Sequence, residues 1–112
     1  MADCLFCRIV AGEIPAKRVH ENAQAIAFED LNPQAPSHVL VVPKRHIPSF
    51  SALLPDDGET LAHMAAAINA VAADRGLDSF RVVCNNGPLA GQSVDHLHWH
   101  VLGGRALGWP PG

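Results

Sequence analysis

The stretch His96-Leu97-His98-Trp99-His100-Val101-Leu102 sets three histidines in alternation with apolar residues. In an extended strand, side chains at i, i+2 and i+4 share a face. The run therefore predicts a strand with three imidazoles in a row on one side and Leu97, Trp99 and Val101 on the other. Histidine exchanges a proton near neutral pH and is a common metal ligand. The array thus points to a metal site, a catalytic site, or both.

Working outward, His38-Val39-Leu40-Val41-Val42 is β-branched and apolar, a central strand that Pro43 stops. Phe80 to Cys84 reads as another strand, and His20-Glu21 and Ala25 to Phe28 read as a hairpin around Asn22. Leu61, Met64, Ala65, Ile68 and Val71 follow helical periodicity. Asp56 and Asp57 mark the start of that helix and Arg75-Gly76 its end. Leu5 to Val10 fits one short helical turn, closed by Gly12 and Pro15. Asn32 to Ser37 and Asn86 to Ser93 are turn-rich loops. About five clustered strands with one long helix argue for an α+β fold on an antiparallel sheet. Such a sheet leaves one face for the helix and the other for a site.

The chain's 112 residues fit one domain, residues 1–112. A domain of this size buries roughly 65% of its unfolded surface, enough for a core without staples. A net charge of −3 gives no electrostatic footprint for a nucleic-acid polymer, so a nucleotide partner is expected to be small. No apolar run approaches the roughly 20 residues of a membrane span, and Asp3 and Arg8 interrupt any signal-peptide pattern. Three cysteines, Cys4, Cys7 and Cys84, argue against a disulfide scaffold, and the expected compartment is the cytoplasm. Cys84 sits in an apolar run and reads as a small buried hydrophobe.

Two chemistries compete for the histidines. Alternating imidazoles can share a Zn²⁺, and Cys4-Leu5-Phe6-Cys7 is a C-x-x-C pair of the kind that binds zinc together with two histidines. Alternatively, a neutral imidazole can attack phosphorus when its other nitrogen is held by an acceptor. Donors are then needed for charge developing on phosphate oxygens. Gly91-Gln92-Ser93, just ahead of the histidines, offers backbone N–H groups and a hydroxyl, with small residues that let a phosphate come close. Taken singly, His20 and His63 read as surface residues without a role, and His38 and His46 as structural.

The combination resembles the histidine triad (HIT) superfamily, and within it the Hint branch of histidine triad nucleotide-binding proteins. The family motif, His-φ-His-φ-His-φ-φ with φ apolar, is matched by His96 to Leu102. Gly91 to Val94, Gly103-Gly104-Arg105, Trp109-Pro110-Pro111-Gly112, Gly12 to Lys17 and Asn32 to His38 also resemble Hint, so the likeness spans essentially the whole chain.

The resemblance implies a five-stranded antiparallel sheet with one long and one short helix, joined into ten strands across a homodimer. It implies hydrolysis of purine nucleoside 5′-phosphoramidates to AMP and an amine, without a catalytic metal. By position, His98 is then the nucleophile, His100 binds phosphate oxygen, and His96 is the first triad member. His38 tunes their protonation, and Ser93 bonds the phosphate or the leaving amine. Asp30 takes the ribose hydroxyls, and Asn85, Gly91 and Gln92 also line the nucleotide site. Leu5, Phe6, Ile9, Phe28 and Leu31 resemble its apolar purine slot. Bacterial relatives with the N-terminal cysteine pair imply a structural zinc on Cys4, Cys7, His46 and His96. Two alternatives share the triad: a dinucleoside polyphosphate hydrolase of the Fhit type, and a nucleotide-binding regulator with little turnover. The chain departs from the family pattern at Trp99, a slot commonly aliphatic, and at Asp95, where an aromatic is frequent.

Overall fold

The computed structural model describes residues 3–112. Helix α1 (Leu5–Val10) is followed by strands β1 (Arg18–Glu21), β2 (Ala25–Glu29) and β3 (Ser37–Pro43). Helix α2 (Gly58–Asp74), β4 (Phe80–Val83) and β5 (Trp99–Gly103) complete the order. The strands form one antiparallel sheet in the order β1-β2-β3-β5-β4, as an α+β chain with clustered strands should.

β3 lies at the centre and is buried along its whole length. Its period-2 alternation divides the core in two. Val39 and Val41 pack with Ala25, Ala27, Val101, Leu97 and the α2 residues Met64, Ala67, Ile68 and Val71. Leu40 and Val42 pack on the opposite face with Ile26, Phe28 and the α1 residues Phe6 and Ile9. Each fully buried Val, Leu, Ile or Phe side chain contributes about 1.5–3 kcal/mol. The long helix thus closes one face of the sheet. The short one only partly covers the other, and a cavity remains there.

α2 owes its seat to small residues. Thr60, Met64, Ala67, Ile68, Val71 and Ala72 make its buried stripe, and the alanines let it approach the sheet closely. Ala65, expected on that stripe, is exposed: the true stripe runs through Ala67 and Ala72, one helical step away. Asp57 caps the segment ahead of α2 by accepting the Leu54 N–H at 2.8 Å, within the 3-10 turn Pro55–Asp57 rather than in the helix itself. At the other end, Gly76 takes φ +64, the Leu77 N–H reaches the Ala72 carbonyl at 2.8 Å, and the Gly76 N–H reaches Ala73 at 3.3 Å. That is a Schellman ending, which needs a residue free to adopt left-handed φ. From the helix end Arg75 reaches Glu29 on β2 and Ser37 on β3, tying α2 to the sheet.

Two expectations from the sequence are corrected. Pro43 does not stop β3 but is its last residue, paired with Ala25. The histidine run is not one strand: β5 begins only at Trp99, so His96 and His98 lie in the irregular segment ahead of it and His100 alone is on the strand. The loop bends here because the Leu97 N–H is drawn to the Ile47 carbonyl at 2.6 Å rather than into the sheet. Trp99 does face away from the histidines, packing against the α2-side core beside Cys84. Cys84 is only half-buried. The Trp99 indole N–H has no geometric hydrogen-bond partner among the described residues, and the Cys84 sulfur is the soft acceptor beside it.

Candidate active site and metal centre

Hydrogen bonds fix each of the three histidines through a different partner. A carbonyl oxygen only accepts, so any ring nitrogen bonded to one must carry the proton. His96 is fully buried, and its Nε2 lies 2.9 Å from the Pro43 carbonyl. Nε2–H therefore donates, and Nδ1 presents a lone pair. That Nδ1 stands 3.4 Å from Cys4 Sγ, 3.5 Å from Cys7 Sγ and 3.2 Å from His46 Nδ1, and His46 Nδ1 is 3.3 Å from Cys7 Sγ. Around a tetrahedral Zn²⁺, ligand bonds of about 2.0–2.3 Å give N···N and N···S edges of about 3.3–3.6 Å. The four side chains fit that group. The His96 N–H donated to a backbone carbonyl is also the outer contact that metal-bound histidines make. Cys4 caps α1, its sulfur accepting the Cys7 N–H at 3.4 Å, so a helix only six residues long delivers both sulfurs. Burial and the neighbouring Cys4 thiol push the Cys7 thiol up from its ordinary value.

His98 is turned the other way. Its Nδ1 lies 2.7 Å from the carbonyl of His96, so Nδ1–H donates and Nε2 is left bare. The ring is buried, held edge-on by Phe6 with centroids 5.1 Å apart.

His100 is set through His38. The Gln34 backbone N–H donates to His38 Nδ1 at 3.0 Å, so a neutral His38 carries its proton on Nε2. That nitrogen lies 2.9 Å from His100 Nδ1 and 3.4 Å from Asp30 Oδ2. His38 thus donates to His100, whose own proton sits on Nε2. Burial, and then the neighbouring His98 and His38, hold the His100 pKa below its ordinary value, against an opposing pull from Asp30. Burial likewise lowers His96.

The two clusters of possible metal ligands are therefore unlike. Cys4, Cys7, His46 and His96 offer lone pairs to a common point, whereas in Asp30, His38 and His100 the His38 lone pair is taken by Gln34. The second cluster is a hydrogen-bonded chain from Gln34 through His38 to His100.

A cavity of about 250 Å³ opens on the α1 side of the sheet. Of the residues expected at a nucleotide site, Leu5, Phe6, Ile9, Phe28, Asp30, Leu31, Ser93, His98 and His100 line it. Asn85, Gly91 and Gln92 do not. The Gly91 and Gln92 N–H groups, expected as phosphate donors, bond instead to the Pro88 and Gly87 carbonyls. The Gln92 side chain staples the loop to Gly87, Pro48 and Val94. The Asn85 side chain lies beside Gly91. Those groups shape the loop, and Ser93 alone of it, with Val94, reaches the cavity. Asp30 Oδ1 accepts the Asn32 N–H at 2.8 Å, while Oδ2 faces the histidine pair. Sequence reasoning missed the walls supplied by the Ile14–Lys17 segment, Glu29, Leu40 and Val94. Of these, Leu40 was legible as the β3 residue two steps from His38, on the same face.

Known proteins share this frame. The HIT domain family model matches residues 11–107. An uncharacterized HIT-like protein of Synechocystis is 50% identical over 111 residues, covering 98% of this chain and 97% of the relative. The crystal structure of a HIT family hydrolase from Legionella pneumophila superposes with a TM-score of 0.95 at 45% identity, covering 98% of this chain and all of the other. A histidine triad nucleotide-binding protein from Candida albicans superposes at 0.82 with 34% identity, covering 96% and 83%. With the family model matching residues 11–107 and a HIT family hydrolase superposing over nearly the full length, the chain belongs to the HIT domain family.

Proposed function

We propose that this HIT-family protein hydrolyses purine nucleoside 5′-phosphoramidates. The observation that carries this reading is the 2.7 Å bond from His98 Nδ1 to the His96 carbonyl, which leaves Nε2 unprotonated at a cavity that Ser93 and His100 also line. A nucleophile needs that combination of a fixed tautomer and an exposed lone pair. His98 Nε2 attacks phosphorus, a N–P bond to the ring forms, and the P–N bond to the amine breaks. Nε2–H of His100 bonds a phosphate oxygen. The Ser93 hydroxyl gives its proton to the departing amine and regains one from the water that attacks next. Water then cleaves the nucleotidyl-histidine, releasing AMP and restoring His98. Phe6, Ile9 and Phe28 supply an apolar slot for the purine, and Asp30 an acceptor for ribose hydroxyls.

Zinc on Cys4, Cys7, His46 and His96 would cross-link α1 to the histidine loop and take no part in the chemistry. A homodimer is favoured by β4, an edge strand paired only with β5, whose Phe80 and Val82 are exposed. The free cysteines suit a reducing cytoplasm.

The test compares AMP release from adenosine 5′-phosphoramidate and from a diadenosine polyphosphate. Faster turnover of the first is expected. Faster turnover of the second would assign the protein to P–O–P cleavage, and none of either would favour a binding role.

A further inference from the structure

His38 and His100 are held in their tautomers from outside the cavity. Nδ1 of His38 accepts from the backbone N–H of Gln34, in the loop between β2 and β3. That loop is anchored by the turn after β5. The Arg105 guanidinium donates to the Gln34 carbonyl at 2.9 Å and to Ala106 at 2.9 Å. Beside it, Gly104 sits at φ +90 against Pro36, where an added Cβ would come within 2.9 Å of the proline Cβ. The same peptide residue, Gln34, is thus gripped at its carbonyl and spent at its N–H.

We infer that Arg105, acting through the Gln34 amide, is a positioning residue that fixes His38 as an Nε2–H donor and His100 as the Nε2–H donor facing the phosphate. The chemistry follows from counting protons. A neutral imidazole has one N–H. With Gln34 donating, His38 Nδ1 must accept, so Nε2–H points to His100 Nδ1 and the His100 proton goes to the cavity side. Without Gln34, His38 is free to carry its proton on Nδ1. Its Nε2 then accepts, His100 protonates at Nδ1, and a lone pair rather than a donor faces the phosphate oxygen. Asp30 Oδ2, at 3.4 Å from His38 and 3.8 Å from His100, is the one carboxylate on this pair among the ion pairs of the described residues. Nearer to His38 Nε2 and beyond hydrogen-bond distance of His100 Nδ1, it favours the same His38 Nε2–H form. The amide, at 3.0 Å from His38 Nδ1, is the closer contact and sets the choice.

The rate consequence rests on the phosphoramidate reading above, while the tautomer consequence does not. Both are read on the full-length protein as Arg105→Ala and Arg105→Lys, with Gln34→Pro as the variant that deletes the amide proton outright. Long-range ¹⁵N–¹H correlation spectra of the histidine rings are expected to show His38 and His100 protonated at Nε2 in the wild type. Arg105→Ala should show a mixture, Gln34→Pro the Nδ1 form, and Arg105→Lys a return toward wild type. With adenosine 5′-phosphoramidate, kcat should fall about 10-fold in Arg105→Ala, a part of the 100-fold or more that a lost general acid or donor costs. KM should stay within about twofold, since a tautomer change acts on transition-state charge rather than on ground-state binding. Wild-type His38 protonated at Nδ1, or unchanged ring tautomers in Arg105→Ala, would overturn the inference. Shifted tautomers in a protein with no turnover would uphold it and remove the hydrolase reading instead. If Gln34→Pro does not fold, the two Arg105 variants decide.

Discussion

The carbonyl of His96 bonds Nδ1 of His98 at 2.7 Å while the His96 ring, through Nδ1, meets Cys4, Cys7 and His46. One residue therefore belongs to two centres: its side chain to a metal-type cluster, its backbone to the tautomer of the residue that faces the cavity. The cavity's own histidines are committed differently, His98 by the His96 carbonyl and His100 by the His38 ring, which the Gln34 N–H sets in turn.

That sharing predicts an effect of metal removal on rate as well as stability. Chelation of purified protein should release zinc at about one ion per chain, the number a single four-ligand site holds. It should also lower Tm and reduce kcat more than it raises KM. Metal analysis with activity before and after chelation and re-addition checks this. Zinc content well below one per chain, even after re-addition, would remove the metal assignment.

His100 makes stability depend on pH in a defined direction. Its folded pKa is held below the ordinary 6.5 by burial, then by His98 and His38. The unfolded chain therefore binds protons first as pH falls. The associated stability is complete above about pH 6.5, the unfolded value, and is lost as pH falls through the folded value. The urea midpoint should be level from pH 8 to 7 and lower at pH 5.5. His100→Gln should flatten part of that decline. A midpoint that rises toward pH 5.5 would contradict the sign.

Phe6 joins the core to the cavity. It is buried, meets Phe28 edge-on at 5.6 Å and His98 at 5.1 Å, and lines the cavity. Phe6→Ala should cost about 3–5 kcal/mol of stability and raise KM. Phe6→Leu, which keeps most of the volume, should recover most of both. Thermal melts and Michaelis kinetics separate the two effects.

The open side of β4 is testable by charge. Val82 is 44% exposed on an unpaired edge. If the proposed homodimer forms through this edge, wild-type protein should sediment as a dimer and Val82→Lys as a folded monomer, because edge lysines block strand pairing. An unchanged dimer would place the interface elsewhere.

What was legible in the sequence follows periodicity. β3 and α2 announced themselves because each buries a regular stripe, and only the phase of one position, Ala65, was misplaced. The Cys4, Cys7, His46 and His96 set came from a motif and the family likeness, and the fold brings those four side chains together. The bend at His96 to His98 was not legible, because alternation is equally compatible with a strand and with a loop whose N–H groups bond elsewhere. For the same reason the Gly91 and Gln92 amides looked available. Side-chain identity does not reveal which carbonyl a backbone N–H will meet. The Gln34 contact to His38 was invisible on the same ground, since it uses a backbone atom of a residue whose side chain plays no part in it.

The most direct test of the central claim is turnover of adenosine 5′-phosphoramidate by His98→Ala, with AMP binding measured on the same preparation. The account predicts that turnover falls by at least about 10⁴-fold, the scale for deleting a covalent nucleophile, while AMP affinity stays within about threefold because the cavity walls remain. Turnover within tenfold of wild type would show that His98 is not the nucleophile.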